Sequence, residues 1–135
     1  MTTSSSARGF LLDTHTALWA VGQPEALSTG ARRAVLAGPN FLSAVSYWEV
    51  VIKCMKGTLD VGDPRLWWAE TLEKLLARPL PLRPEHVGAL WTLPPLHKDP
   101  FDRILIAQAR LEGLALVSAD AEVARYSPTG LQVIR

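Results

Sequence analysis

A parallel α/β sheet covered by helices on both faces is the fold this 135-residue chain predicts, and three observations predict it. Short apolar runs alternate with longer segments of helical periodicity, the pattern of strands joined by crossover helices. The runs Phe10-Leu11-Leu12 and Leu114-Ala115-Leu116-Val117 are apolar at consecutive positions, as strands buried on both faces must be. Each run leads into an aspartate, Asp13 or Asp120, and parallel crossovers place ligand sites outside the carboxyl ends of strands.

Taken in order, Phe10-Leu11-Leu12 lies between Gly9 and Asp13 and is too short for a helix, so it reads as a strand. Thr14 to Ala20 reads as a short helix that Gly22 and Pro24 end. Ser28 offers an N-cap for a helix running to about Ala37, where Gly38-Pro39 stops it. Phe41-Leu42-Ser43 is a second strand. Ser46 to Met55 follows as a helix with Gly57 beyond its end. Asp63-Pro64 begins another helix, with proline in the first turn, reaching about Ala77. Pro79 to Leu82 is a weak strand whose prolines suit only an edge. Pro84 to Leu93 is helical until Pro94-Pro95, and Pro100 to Leu111 is a long helix closed by Gly113. Leu114 to Val117 and Leu131 to Ile134 complete the strands.

Composition bounds the function. Apolar residues make up 48% and charged residues 20%, which fits a globular chain and not a disordered one. The length suits one domain, expected over residues 9–135, with residues 1–8 as a disordered polar tail. The net charge of +1 neither demands nor excludes a nucleic-acid partner. A single Cys54 excludes an internal disulfide and a cysteine-based zinc site, and reads as a small core residue. No apolar stretch is long enough to span a membrane, and the polar start lacks a signal-peptide core, so a cytoplasmic location is expected.

Four acids carry the chemical expectation: Asp13, Glu49, Asp102 and Asp120. Glu49 and Asp102 sit in apolar helical segments, where an unpaired carboxylate is costly. Hard oxygen donors converging from distant segments suit Mg²⁺ or Mn²⁺, and such a site implies phosphoryl chemistry on an anionic substrate. Each acid also has a plainer reading. Asp13 and Asp120 stand where helix caps belong, Asp102 complements a helix dipole, Glu49 pairs with Lys53 at i, i+4, and Asp99 caps the helix at Pro100. Thr14, Thr16 and Ser118 are placed to hydrogen-bond the carboxylates or an attached water. Arg103, Lys98 and Arg32-Arg33 are available to phosphates. His15, His86 and His97 show no ligand spacing, and the five tryptophans sit in apolar helical patterns that favour packing over base stacking. The apolar face of Trp48, Val51, Ile52 and Met55 suits either a core or a partner surface. There is no glycine-rich phosphate loop and no nucleophile elbow.

Leu11-Leu12-Asp13-Thr14-His15, Ser46-Tyr47-Trp48-Glu49-Val50 with Lys53, Asp99-Pro100-Phe101-Asp102-Arg103-Ile104-Leu105-Ile106-Ala107-Gln108-Ala109 and Leu116-Val117-Ser118-Ala119-Asp120 together resemble the PIN domain. More closely, they resemble the toxin ribonucleases of VapBC toxin–antitoxin systems. The resemblance runs from Gly9 to Arg135 and rests on the order and spacing of all four motifs. It implies a three-layer α/β/α fold and a Mg²⁺- or Mn²⁺-dependent ribonuclease. It implies Asp13, Glu49 and Asp102 as metal-binding acids, completed by Asp120, often through water. Ser118 stands where the family often has Thr or Ser. The resemblance further implies an RNA substrate, a homodimer, a VapB-like antitoxin over the active groove, and DNA contact only through that antitoxin.

Three other readings compete. A haloacid-dehalogenase phosphatase needs Asp-x-Asp-x-Thr, whereas Asp13-Thr14-His15-Thr16 has histidine at the second acid. A receiver domain needs an acceptor aspartate after its third strand, which is not placed. A catalytically silent module binding RNA or a partner would not need all four costly carboxylates.

Overall fold

The strands are short and wholly parallel, and their order explains where a site can form. The computed structural model describes residues 7–135. Strands β1 (Phe10–Leu12), β2 (Asn40–Ser43), β3 (Ala77–Leu80), β4 (Ala115–Val117) and β5 (Val133–Ile134) form one sheet in the order β3-β2-β1-β4-β5. Leu11 aligns with Phe41 on one side and Leu116 on the other. The chain therefore builds outward from β1 through β2 to β3, then returns to β1's other edge for β4 and β5. That reversal opens a crevice beyond the carboxyl ends of β1 and β4.

Successive strand residues face opposite layers. Leu11, Phe41 and Leu116 enter one core cluster with Leu105, Ile106 and Tyr126. Leu12, Leu42 and Val117 enter the other with Ala17, Ala34, Val50 and Trp67. The first cluster is covered by α6 (Pro100–Glu112) and α7 (Ala121–Ala124). The second is covered by α1 (Thr14–Gly22), α2 (Thr29–Ala37), part of α3 (Ala44–Met55) and α4 (Pro64–Lys74). These are the expected three layers. Each fully buried leucine, Leu11, Leu12 and Leu42 among them, contributes about 1.5–3 kcal/mol over its exposed state.

Several boundaries differ from the sequence expectation. Helix α3 begins at Ala44 and not Ser46, because Ser43 at the end of β2 accepts the Val45 N–H directly (3.0 Å). No loop separates strand from helix there. Beyond α3, Thr58 N–H reaches Lys53 O (3.0 Å) across Gly57, whose φ of +76° permits that turn. Helix α4 stops at Lys74, short of Ala77, because Leu76 takes a left-handed φ of +48° and Ala77 enters β3. Strand β3 lies at the expected edge, shifted two residues earlier. After α5 (Pro84–Gly88), Ala89–Thr92 tightens into a 3-10 turn.

Residues 1–6 of the expected tail lie outside the described residues. Arg8 is anchored: its N–H donates to Gly113 O (3.0 Å) and its Nε to Glu112 O (2.6 Å). Cys54 is half-buried against the second cluster. Trp48 and Met55 are exposed, so the apolar face of α3 is surface at those positions and not core. Among the described residues, no helix is long and apolar enough to cross a membrane.

Candidate active site

The four acids from separate segments line one cleft of about 360 Å³ at the crevice between β1 and β4. A larger groove between α1 and α4, about 450 Å³, includes none of them. Each carboxylate is set by local chemistry that also explains its plainer reading.

Asp13 ends β1 and caps α1, its Oδ1 accepting the Thr16 N–H (2.8 Å). Only 5% of the residue is exposed, so cap and cleft wall coincide in one side chain. Thr16 Oγ1 donates to Val117 O (3.1 Å), stitching the start of α1 to β4. Glu49 lies on the second turn of α3 and is equally buried. The Thr14 hydroxyl donates to its Oε1 (2.6 Å) and lies 2.9 Å from Ser46 Oγ. Lys53 Nζ meets Oε2 at 2.7 Å. The i, i+4 pair is therefore real, and it orients the acid within the cleft.

Asp102 occupies the first turn of α6, which Asp99 caps by accepting the Phe101 N–H (2.8 Å). Asp120 caps α7, with Oδ1 accepting the Glu122 N–H (2.8 Å). One imidazole joins them: His97 Nε2 lies 2.9 Å from Asp120 Oδ2 and 3.1 Å from Asp102 Oδ2. The two carboxyls nevertheless shift in opposite directions. Burial, then the charges of Asp99, Asp13 and Glu49, push Asp102 up to about 7, against the pull of His97. Burial also pushes Asp120 up, but its hydrogen bonds to His97 and the Glu122 N–H outweigh this and hold it below the usual carboxylate value. Asp120 is the more solvated, at 37% side-chain exposure against 18%, and three acids crowd Asp102.

Of the expected hydrogen-bonding partners, Thr14 reaches a carboxylate. Ser118 Oγ instead accepts the Asp120 backbone N–H (3.1 Å), shaping the turn that presents the acid. Arg103 is held by acceptors of the protein itself. Its guanidinium donates to the carbonyls of Leu93, Pro94 and His97 and reaches the Tyr126 hydroxyl. His97 was legible only as a histidine near the Asp99 cap, since its bond to Asp120 crosses 23 residues. His15 and Trp19 also line the cleft, their rings 5.8 Å apart.

A PIN-domain family profile matches residues 10–127. The chain is 29% identical over 112 residues to Ribonuclease VapC22 of Mycobacterium tuberculosis, covering 82% of this chain and 85% of that protein. Its fold is similar to VapBC2 from Rickettsia felis, solved bound to a promoter DNA fragment (TM-score 0.63, 14% identity, 92% and 96% of the two chains). It is also similar to a toxin–antitoxin complex from Klebsiella pneumoniae (TM-score 0.60, 20% identity, 96% and 97%).

Proposed function

This chain belongs to the PIN-domain family, and we propose that it is the ribonuclease toxin of a toxin–antitoxin pair, hydrolysing RNA phosphodiester bonds with Mg²⁺ or Mn²⁺. The observation that carries this reading is the convergence of Asp13, Glu49, Asp102 and Asp120 on one cleft. Likeness to Ribonuclease VapC22 and to toxin–antitoxin complexes supports it.

The residues fit a divalent cation. The donors are hard carboxylate oxygens, which suit Mg²⁺ or Mn²⁺. Asp102 is pushed up to about 7, first by burial and then by the charges of Asp99, Asp13 and Glu49, and a dication in the cleft would favour its charged form. Asp13, Glu49 and Asp102 would hold the ion, with Asp120 completing the set. The cation would supply Lewis acidity, stabilising charge on the phosphoryl and leaving oxygens and easing deprotonation of water.

The protein's own contribution is orientation. The Thr16 N–H fixes Asp13, Thr14 and Lys53 grip the two oxygens of Glu49, and the Asp99 cap sets the turn bearing Asp102. These supports spare the acids reorganisation when charge develops on the phosphate. Without a cation, the same acids repel an RNA backbone, so substrate and metal binding are coupled. An antitoxin partner, a homodimer and a cytoplasmic setting complete the proposal.

The test is cleavage of a cellular RNA pool by wild type and Asp13→Asn, each with Mg²⁺, Mn²⁺ or EDTA. Metal-dependent cutting by wild type alone is expected. Equal cutting by both proteins would sink the assignment.

A further inference from the structure

His97, Asp102 and Asp120 present one nitrogen and two oxygens within 4.8 Å of one another, which looks like a ligand triad. Hydrogen bonding around the imidazole argues for a different role. Its Nδ1 lies 3.1 Å from the Asp99 backbone N–H, a group that can only donate. Nδ1 is thus the accepting nitrogen, and in the neutral ring the proton sits on Nε2. Nε2 faces the two carboxylates as a donor and has no lone pair for a metal.

The ring is also held from behind. The N–H groups of Leu96 and His97 both donate to the Tyr126 hydroxyl (2.9 and 3.0 Å). That hydroxyl donates to Pro94 O (2.6 Å), and Tyr126 is fully buried. Arg103 grips His97 O from α6 (3.3 Å). Asp120 is fixed in turn, one oxygen on the Glu122 N–H and the other on the imidazole. A chain of directed bonds therefore runs from the core through His97 to Asp120, and it sets the same Nε2 3.1 Å from Asp102.

We propose that His97 is a positioning residue of this site: it donates from Nε2 to Asp120, holding that acid beside Asp102, and it is not a metal ligand. The inference rests on the metal-nuclease reading above, and its test is separable from that reading.

Three measurements on the full chain decide it. The first is the ¹⁵N spectrum of the histidine rings in metal-free wild type, with the His97 signals assigned by their loss in His97→Gln. A protonated Nε2 and an unprotonated Nδ1 are expected. The reverse tautomer would overturn the proposal. The second is electron spin echo spectroscopy of bound Mn²⁺. No imidazole nitrogen coupling assignable to His97 is expected, whereas a coupling that vanishes in His97→Gln would make His97 a ligand. The third is the Mn²⁺ dissociation constant, read from free-ion resonance. His97→Leu, which lacks a donor, should bind about 10- to 100-fold more weakly. His97→Gln, whose amide can donate in place of Nε2, should recover most of that loss. Equal affinity in wild type and folded His97→Leu would overturn the positioning role. If His97→Leu fails to fold, Tyr126→Phe substitutes for it, with a smaller loss expected and an unchanged constant counting against the proposal. Wild type that binds no Mn²⁺ would overturn the metal reading and this proposal together, a result distinct from binding that His97→Leu leaves intact.

Discussion

Helix α6 carries an acid–histidine pair at each end, and the two ends are built alike but serve differently. At the carboxyl end, His86 Nδ1 accepts the Arg83 N–H (2.9 Å) and Nε2 meets Glu112 Oε2 at 2.9 Å. At the amino end, His97 Nδ1 accepts the Asp99 N–H and Nε2 meets Asp102 and Asp120. The difference is burial and charge. Glu112 is balanced by Arg8 at 3.3 Å, and its bond to His86, against burial, holds its carboxyl below the usual range. Asp102 is pushed up by burial first, and then by Asp99, Asp13 and Glu49, against the pull of His97. The same hydrogen-bond motif closes a structural network at one end and leaves an acid excess at the other. A site differs from a brace here by its burial and its unbalanced charge, not by its parts.

The sharpest way to break this contrast is substitution at each end. Asp102→Asn should lower RNA cleavage by about 10²-fold or more while the protein stays folded, as measured by initial rates and circular dichroism. His86→Ala should do the opposite. It leaves the Arg83 N–H without its acceptor, removes one partner of Glu112 and opens a cavity at a residue 1% exposed, costing about 2–4 kcal/mol in urea unfolding with the rate of the folded fraction unchanged. Loss of cleavage in folded His86→Ala would erase the distinction.

Ser43→Ala tests how far the structural network extends. Ser43 Oγ donates to Gln108 Oε1 (2.6 Å), and the Gln108 amide nitrogen lies 3.3 Å from His86 Nδ1. A loss of about 1–2 kcal/mol is expected, part of it from the α3 cap.

The two ends should also respond oppositely to pH. Asp102 binds its proton more tightly folded, near 7, than unfolded, near 3.8. Its contribution therefore weakens the metal-free protein progressively as pH rises from about 4 to about 7. Glu112, lowered from 4.5, contributes above that value and loses its contribution as pH falls through the lowered one. Thermal melts should show Mg²⁺ stabilising the protein by more degrees at pH 8 than at pH 5, and Asp102→Asn flattening the neutral-range slope. An equal Mg²⁺ effect at both values would contradict the crowded-acid account. The smallest effect belongs to Arg8→Ala, whose half-exposed ion pair should contribute only about 0.2–1 kcal/mol.

Asp13, Asp102 and Asp120 were legible as candidates because each stands beside a strand end or a cap signal, and Glu49 because it sits in an apolar helical segment. The partners of Glu49 were half legible: Lys53 is a helical turn away, and Thr14 is 35 residues distant. His97 was passed over because ligand spacing is a local criterion and its partners are not local. The surroundings of Arg103 are not legible either, because sequence does not reveal that four acceptors, Tyr126 among them, surround it.

The sequence by itself determined the parallel α/β class and the capped helices, because apolar runs, caps and proline stops act over a few residues. It also determined which carboxylates would be costly to bury. Tertiary structure alone decided the strand order that opens the crevice between β1 and β4, the joining of Asp102 to Asp120 through His97, and the rise of Asp102. Those depend on which distant segments share a low-dielectric space, and Coulomb energy follows distance in space, not separation along the chain.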